Sequence, residues 1–126
     1  MKTAFTLLEL LIVIVIVGVL ATIALPNFNK MIDKAKADQA VTYLKVIRSG
    51  EKIYYAGNSA YIACANAAEI KSNLGAEITE DSYTFTVTGN PNISNSFIAT
   101  AASKSDATTI ILNQDGNWSG TSPFKP

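Results

Sequence analysis

The stretch FTLLELLIVIVIVGVLATIALP, residues 5–26, decides the architecture of this chain. Before the closing proline, its apolar pattern is interrupted at only four positions, Thr6, Glu9, Gly18 and Thr22. About twenty-one helical residues span roughly 30 Å, the thickness of the hydrocarbon core of a bilayer. In lipid, a single segment satisfies its own backbone hydrogen bonds only as a helix. The stretch therefore predicts one transmembrane helix.

The flanks of this segment argue against a cleaved secretory signal and leave its orientation open. A secretory signal would end in an A-x-A-like cleavage site, whereas this segment ends in ALPNFNK. The flanking charges are Lys2 before the segment and, after it, Lys30, Asp33, Lys34, Lys36 and Asp38. Because lysines and arginines concentrate in cytoplasmic loops, the count alone favours a cytoplasmic C-terminal side.

Glu9 is the one ionisable residue inside the apolar segment, and it has two interpretations. In the first turn of a helix, a negative charge suits the helix macrodipole. An ionisable residue in a membrane segment also marks a functional site by default, with a positive partner to be found elsewhere. The residues alone leave both interpretations open.

Composition argues against an enzyme and against nucleic-acid binding. The 126 residues include ten basic and ten acidic side chains, no histidine and a single cysteine, Cys64. Zero net charge gives no electrostatic basis for nucleic-acid binding by the monomer. The absence of histidine removes the commonest general base and metal ligand. We therefore predict no catalytic residue, no cofactor and no metal site, and we interpret Cys64 as a small buried residue.

One spacing resembles the start of a calcium loop. Asn113, Asp115 and Asn117 alternate as calcium ligands do, but the later acidic ligands are missing. Asp115 is followed by Gly116, which is a strong signal for a β-hairpin turn. We therefore predict a plain hairpin here.

The N-terminal residues resemble those of the type IV pilin and type II secretion pseudopilin family. That family has a basic leader, a small residue at a cleavage point, an aromatic residue, a glutamate four positions later, and then a glycine and a proline in the apolar helix. The matching residues in this chain are Lys2, Ala4, Phe5, Glu9, Gly18 and Pro26. Ala4 stands where the family usually has glycine. The close match covers about the first thirty residues.

The resemblance implies a processing step and a role for Glu9. A prepilin peptidase would cut between Ala4 and Phe5 and methylate the new amine. Glu9 would pair with the Phe5 amine of a neighbouring subunit as the helices bundle into a filament. Burying two opposite charges together avoids the penalty of burying either one alone. Gly18 and Pro26 would either kink the helix or let it extend during packing, and both readings stay open.

The resemblance also implies a location and partners. The precursor would lie in the inner membrane, with its leader in the cytoplasm and everything after Pro26 exported, contrary to the charge count. The mature subunit would form a homo-oligomeric helical filament with the help of a pilus assembly platform and an ATPase motor. The product would be an extracellular pilus, or a periplasmic pseudopilus.

The rest of the chain predicts an amphipathic helix followed by a small sheet domain. Apolar residues recur at helical spacing over residues 28–55, at Phe28, Met31, Ile32, Ala35, Val41, Leu44, Ile47, Tyr54 and Tyr55. This stripe is expected to cover the globular domain, because so short a domain needs the helix as one wall of its core. The turn residues 57–59 are expected to end the helix. Asn66, Glu69 and Gly75 carry capping signals that predict a short helix over residues 67–74.

Beyond that helix, alternation and turn signals predict an antiparallel meander. Its strands are expected at residues 83–88, 95–101 and 108–113, with 117–119 returning along the third. The expected organisation is a leader (1–4), a transmembrane and assembly helix (5–27), an amphipathic helix (28–55) and a sheet domain (56–126). The fold class is α+β, with a pilin-like long helix packed on a β-meander.

The sequence thus predicts a structural subunit of a bacterial type IV pilus, serving adhesion, motility or DNA uptake. One alternative is a type II secretion pseudopilin with the same architecture. An alternative of another class is a bitopic membrane protein that never polymerises and whose exported domain binds a ligand.

Overall fold

The computed structural model describes residues 3–89 and 92–126. Met1 and Lys2 of the expected leader, and Asn90 and Pro91 of the expected turn after the first strand, lie outside the described residues. The chain divides into two compact units, one that ends at Ala35 and one that spans Lys36–Pro126.

The first helix, α1, spans Leu7–Asn58 and is helical through both Gly18 and Pro26. It runs three residues beyond the predicted end at residue 55. The turn that stops it is made by Ser59, which adopts a left-handed conformation with φ of 54°. The Ser59 N–H donates to the Tyr55 carbonyl at 2.8 Å, and this hydrogen bond completes the last turn of the helix.

The second helix, α2, spans Ala67–Leu74, the range that the sequence predicts. The Asn66 side chain accepts a hydrogen bond from the Glu69 N–H at 3.0 Å, and the Glu69 carboxylate reaches back to the Ala65 N–H at 2.8 Å. Gly75 closes the other end in a left-handed conformation with φ of 68°. These reciprocal bonds satisfy N–H groups that a helix start leaves without partners.

The sheet is a four-stranded antiparallel meander in the order β1-β2-β3-β4, which confirms the predicted α+β class. Its strands are β1 (Tyr83–Gly89), β2 (Phe97–Ser103), β3 (Thr109–Asn113) and β4 (Trp118–Ser119). On β1 the residues expected to face inward, Tyr83, Phe85 and Val87, are all buried.

Strand β2 begins two residues later than predicted, because the residues before it form a turn around Asn92. The Asn92 carbonyl accepts hydrogen bonds from the N–H groups of Asn95 and Ser96, at 3.2 and 3.0 Å. Its side-chain oxygen accepts another from the Ser94 N–H at 3.0 Å. Asn95 and Ser96 therefore belong to the turn.

One hydrophobic core joins the second part of α1, α2 and the sheet. Val41, Leu44 and Ile47 of α1 are buried, and the ring of Tyr43 packs edge-on against Phe85 of β1 at 5.6 Å between centroids. The expectation that the helix supplies one wall of the core is therefore confirmed.

The start of the amphipathic helix at residue 28 stays a prediction. The buried stripe of α1 begins at Ala37, whereas Phe28 and Met31 remain 61% and 70% exposed. Helical spacing of apolar residues identifies a face of a helix, but it does not say how far along the helix that face is covered.

Candidate functional site

The start of α1 is built around a side-chain cap that the sequence analysis missed. Residues 3–6 are not helical, and the Thr6 hydroxyl oxygen accepts a hydrogen bond from the Glu9 N–H at 3.2 Å. Thr6 and Glu9 have the spacing of a capping box, a signal that could have revealed the cap. The structure thus places Glu9 in the first turn of α1, where its carboxylate is exposed.

The positive partner expected for Glu9 is not present in this form of the chain. Because Ala4 precedes Phe5, the Phe5 nitrogen is an amide and carries no charge. An ammonium at this position requires cleavage of the Ala4–Phe5 bond. Both residues are exposed and lie before the first helical residue, so the peptide bond between them is accessible.

The large apolar side chains on both sides of Glu9, over residues 7–25, are exposed on every face of the helix. The large ones over residues 7–25 range from 47% exposed at Leu11 to 82% at Leu7. Over the part of the chain that the structure describes, α1 is the one helix long and apolar enough to cross a membrane, by length and composition. None of the apolar stretch that could cross the membrane is buried within the chain. Monomeric soluble proteins rarely expose an apolar surface this large, so it marks an interaction surface for lipid or protein.

Gly18 lies open on this surface. A methyl group built at Gly18 would meet nothing within 4 Å in the isolated chain. Glycine weakens a helix interior by roughly 1 kcal/mol relative to alanine. The glycine is therefore not needed for packing within the isolated chain.

Pro26 leaves one carbonyl of the helix without its usual donor. Proline has no N–H, so the carbonyl of Thr22, four residues earlier, cannot receive the usual helical bond from position 26. Nearby side chains add bonds: the Thr22 hydroxyl donates to the Val19 carbonyl at 2.7 Å, and the Asn27 amide donates to the Ile23 carbonyl at 3.4 Å. The helix continues across this weakened turn, and the choice between a kink and an extension stays a prediction.

The residues with calcium-like spacing form the hairpin that was predicted. The Asn113 side-chain oxygen accepts hydrogen bonds from the N–H groups of Asp115 and Asn117, at 3.0 and 2.8 Å. Gly116 adopts φ of 94° between β3 and β4. The Asn113 amide oxygen is thus engaged in shaping the turn.

Cys64 is 1% exposed, which confirms that it is a small buried residue. Burial raises the pKa of its thiol, so it carries little of the thiolate that a reactive cysteine needs.

The N-terminal segment matches a known family model. Residues 1–25 match the prokaryotic N-terminal methylation motif. This match covers Ala4, Phe5, Glu9 and Gly18, and Pro26 follows it directly. The resemblance of the N-terminal residues to prepilin-type proteins is therefore confirmed.

Relatives of both predicted kinds match this chain. It is 42% identical over 62 residues to the type IV major pilin protein PilA of Myxococcus xanthus, which covers 49% of this chain and 28% of the relative. It is 38% identical over 60 residues to the type II secretion system core protein G of Vibrio cholerae, which covers 48% of this chain and 41% of the relative. It is 29% identical over 96 residues to the type IV major pilin protein PilE of Neisseria gonorrhoeae, which covers 71% of this chain and 58% of the relative. No solved structure matches.

The family match locates the similarity at the N-terminus of the chain, over residues 1–25. The chain spans between 28% and 58% of the length of the three relatives. The residues matched by the methylation motif include the exposed apolar part of α1 up to Leu25. The chain thus joins an N-terminal segment similar to that of type IV pilins and type II secretion pseudopilins to an α+β domain.

Proposed function

We propose that this chain is a structural subunit of a bacterial type IV pilus, which polymerises through its N-terminal apolar helix. The observation that carries the proposal is the exposed apolar surface of residues 7–25, which includes Glu9 and lies within the residues matched by the methylation motif. A surface of this size needs a cover. Lipid covers it before assembly, and neighbouring copies of the same helix cover it in the filament.

Processing creates the charge that Glu9 pairs with. A prepilin peptidase cuts the exposed bond between Ala4 and Phe5 and methylates the new amine, which is positively charged. In the filament, Glu9 of one subunit lies against the Phe5 amine of another. A carboxylate and an ammonium buried together avoid the large cost that either would meet alone. The pair therefore sets the register of the incoming subunit.

The partners follow from this cycle. The precursor lies in the inner membrane, with residues 1–4 in the cytoplasm and the domain Lys36–Pro126 exported. An assembly platform and an ATPase motor lift each processed subunit out of the bilayer. The work of the exported domain is then mechanical and adhesive, in keeping with relatives that are structural proteins.

A type II secretion pseudopilin is the second candidate, and the matches to core protein G favour it. Those matches extend over 60 residues, about half of the chain. The alignment with the gonococcal major pilin extends over 96 residues and so reaches into the sheet domain. That longer alignment favours the pilus.

The test is electron microscopy and intact-mass spectrometry of material sheared from cells that express the chain. A pilus subunit yields fibres outside the cell, whose subunit has lost residues 1–4 and gained one methyl group. A pseudopilin leaves the supernatant empty at native expression and supports secretion. A bitopic membrane protein yields no fibre in either compartment.

Two variants at the cleavage point sharpen the test. Ala4→Gly introduces the residue that the family usually has there and should be processed at least as completely. Ala4→Arg replaces the small residue with a bulky charged one, so the precursor should accumulate in the membrane without fibres. Fibres whose subunits retain residues 1–4 would refute both the cleavage and the role given to Glu9.

A further inference from the structure

A buried carboxyl group lies outside the N-terminal site and takes no part in the function proposed above. Glu51 lies on α1 within the second compact unit, and its exposed fraction is 0%. Acidic side chains are almost never fully buried unless they are paired. The complete burial of the Glu51 side chain therefore needs an explanation.

Only one of the two Glu51 oxygens has a hydrogen-bond partner. Oε2 accepts a hydrogen bond from the Ile62 N–H at 3.0 Å. Oε1 is buried, and within residues 3–89 and 92–126 it has no hydrogen-bond partner. An ionised carboxylate would place charge on this unsatisfied oxygen, which is costly in a poorly solvated site. An uncharged carboxyl avoids that cost.

Within the part of the chain that the structure describes, no cationic side chain is paired with the Glu51 carboxyl. The charged and titratable groups on the segments around it are Arg48, Lys52, Tyr54 and Tyr55 on α1, Tyr61 and Cys64 after it, and Glu69 and Lys71 on α2. The rings of Tyr55 and Tyr61 lie 4.6 Å apart between centroids, and Lys71 pairs with Glu77 at 2.8 Å. The Arg48 Nε donates to the Gln114 carbonyl at 3.0 Å, and Lys52 is exposed. The four strands contribute no charged residue.

The electrostatics agree with this geometry. Burial raises the pKa of the Glu51 carboxyl, against a smaller lowering by the hydrogen bond from Ile62. The Cys64 thiol interacts electrostatically with Glu51, and burial is the largest cause that raises the pKa of this thiol. A neutral thiol offers no positive charge to an ionised Glu51.

The Glu51 hydrogen bond holds the segment that covers the free edge of the sheet. Two residues after Ile62, Cys64 forms an isolated bridge with Val87 of β1. The Cys64 N–H donates to the Val87 carbonyl at 3.1 Å, and the Val87 N–H donates to the Cys64 carbonyl at 2.8 Å. Because β2 pairs with the other side of β1, this bridge shields an edge that would otherwise present unpaired backbone groups.

We propose that Glu51 is a pH-dependent switch that controls the contact between residues 59–66 and α1. Its uncharged carboxyl fastens the segment of residues 59–66 onto α1, and ionisation of the carboxyl releases that segment together with the β1 edge beneath it. The buried site keeps the proton, whereas an open, solvated Glu51 loses it in the ordinary range of glutamate, near pH 4.3. Opening therefore releases one proton as pH rises above that range, until the buried carboxyl itself ionises.

The proposal predicts a pH-dependent local opening of known slope. Over the interval where opening releases one proton, the opening equilibrium should rise up to about tenfold for each pH unit and then level off. The measurement is amide hydrogen exchange by NMR on the full chain in detergent micelles. Each rate is divided by the intrinsic exchange rate at the same pH. The amides of Ile62 and Val87 should follow the same profile, whereas the amide of Ala101 in β2 should not change.

Three variants identify the responsible group. Glu51→Gln has nearly the same shape and cannot ionise, so the normalised exchange at Ile62 and Val87 should become independent of pH. Glu69→Gln is the matched control, because Glu69 also binds a backbone N–H of this segment but is exposed, and it should keep the wild-type profile. Cys64→Ala should keep the profile as well, which excludes the thiol as the titrating group.

A second measurement does not depend on any variant folding correctly. The carbon-13 shift of the Glu51 carboxyl in the wild-type chain reports its ionisation directly and should change above the ordinary glutamate range. A carboxyl that ionises in the ordinary range while Ile62 and Val87 stay protected would overturn the proposal. So would an opening profile that is flat in the wild type, or one that is equally steep in Glu51→Gln.

Discussion

Replacing Glu9 with alanine separates the two interpretations of this residue. The structure places Glu9 in the first turn of α1, with its carboxylate exposed and its backbone N–H bound to the Thr6 hydroxyl. Glu9→Ala removes the carboxylate and leaves that capping bond in place. Thr6→Ala is the matched control, since it removes the cap and leaves the carboxylate.

The magnitudes of these effects differ enough to decide between them. A negative charge in a first turn contributes about 0.3–1 kcal/mol through the helix dipole. Loss of a threonine cap costs about 0.5–2 kcal/mol. Removing one partner of a buried ion pair costs about 3–5 kcal/mol, because the other charge is then left buried alone. At about 1.4 kcal/mol per factor of ten, that loss weakens each subunit addition by two to four orders of magnitude.

The assay is the yield of sheared filaments at matched amounts of processed subunit in the membrane. If Glu9 pairs with the Phe5 amine, Glu9→Ala should abolish or sharply reduce filaments, Thr6→Ala should reduce them far less, and Glu9→Asp should fall between. Cleavage should survive in Glu9→Ala, because Ala4 and Phe5 are unchanged. Wild-type yield from Glu9→Ala, or an equal loss in Thr6→Ala, would mean that Glu9 serves only the start of the helix.

Three further changes test other parts of the structure. Pro26→Ala restores an N–H that can donate to the Thr22 carbonyl, so membrane insertion should persist and cryo-electron microscopy of filaments should show a more regular N-terminal part of α1. A helix identical to wild type would refute a role for this turn in packing. Gly120→Ala should lower the thermal midpoint of unfolding by several degrees, because Gly120 has φ of 108° and an added methyl would lie 2.3 Å from the Thr109 carbonyl oxygen; an unchanged midpoint would show that this turn relaxes freely. Because burial raises the pKa of Glu51, the folded chain holds a proton that the unfolded chain loses, so wild-type stability should fall as pH rises from about 4.3, whereas Glu51→Gln should lack this slope in chemical denaturation at a series of pH values.

The order of elements could be predicted from the sequence because the local signals agree with the tertiary structure. Strand β1 alternates apolar and threonine residues with period two, and its apolar side faces the core. For α2, the capping signals of Asn66 and Gly75 fixed both ends. No comparable signal showed that β2 begins at Phe97 rather than at Asn95. Asn95 belongs to the preceding turn because its N–H donates to the carbonyl of Asn92.

Burial along α1 was harder to predict than its helical state. Leu44, Ile47 and Glu51 lie at spacings of three and four residues, so they share one helix face. A glutamate at the end of such a stripe nevertheless predicts a side chain exposed to solvent. The structure buries Glu51 and leaves Tyr55, which was assigned to the apolar stripe, 41% exposed. The difference comes from the segment of residues 59–66, whose Ile62 N–H binds the carboxyl, and a helical pattern contains no information about that later segment.

The proposed filament needs more than apolar surface to draw a subunit out of the membrane. Residues 7–25 are covered equally well by lipid tails and by neighbouring apolar helices, since within a bilayer there is little hydrophobic driving force between helices. The two environments would differ for Glu9, because lipid supplies no counter-charge, whereas in the proposed filament a neighbouring processed subunit would supply the ammonium of Phe5. On this proposal, cleavage before Phe5 is also the step that makes the filament more favourable than the bilayer. An uncleaved chain has the same exposed apolar helix but an uncharged amide at Phe5, so it should insert in the membrane and remain there.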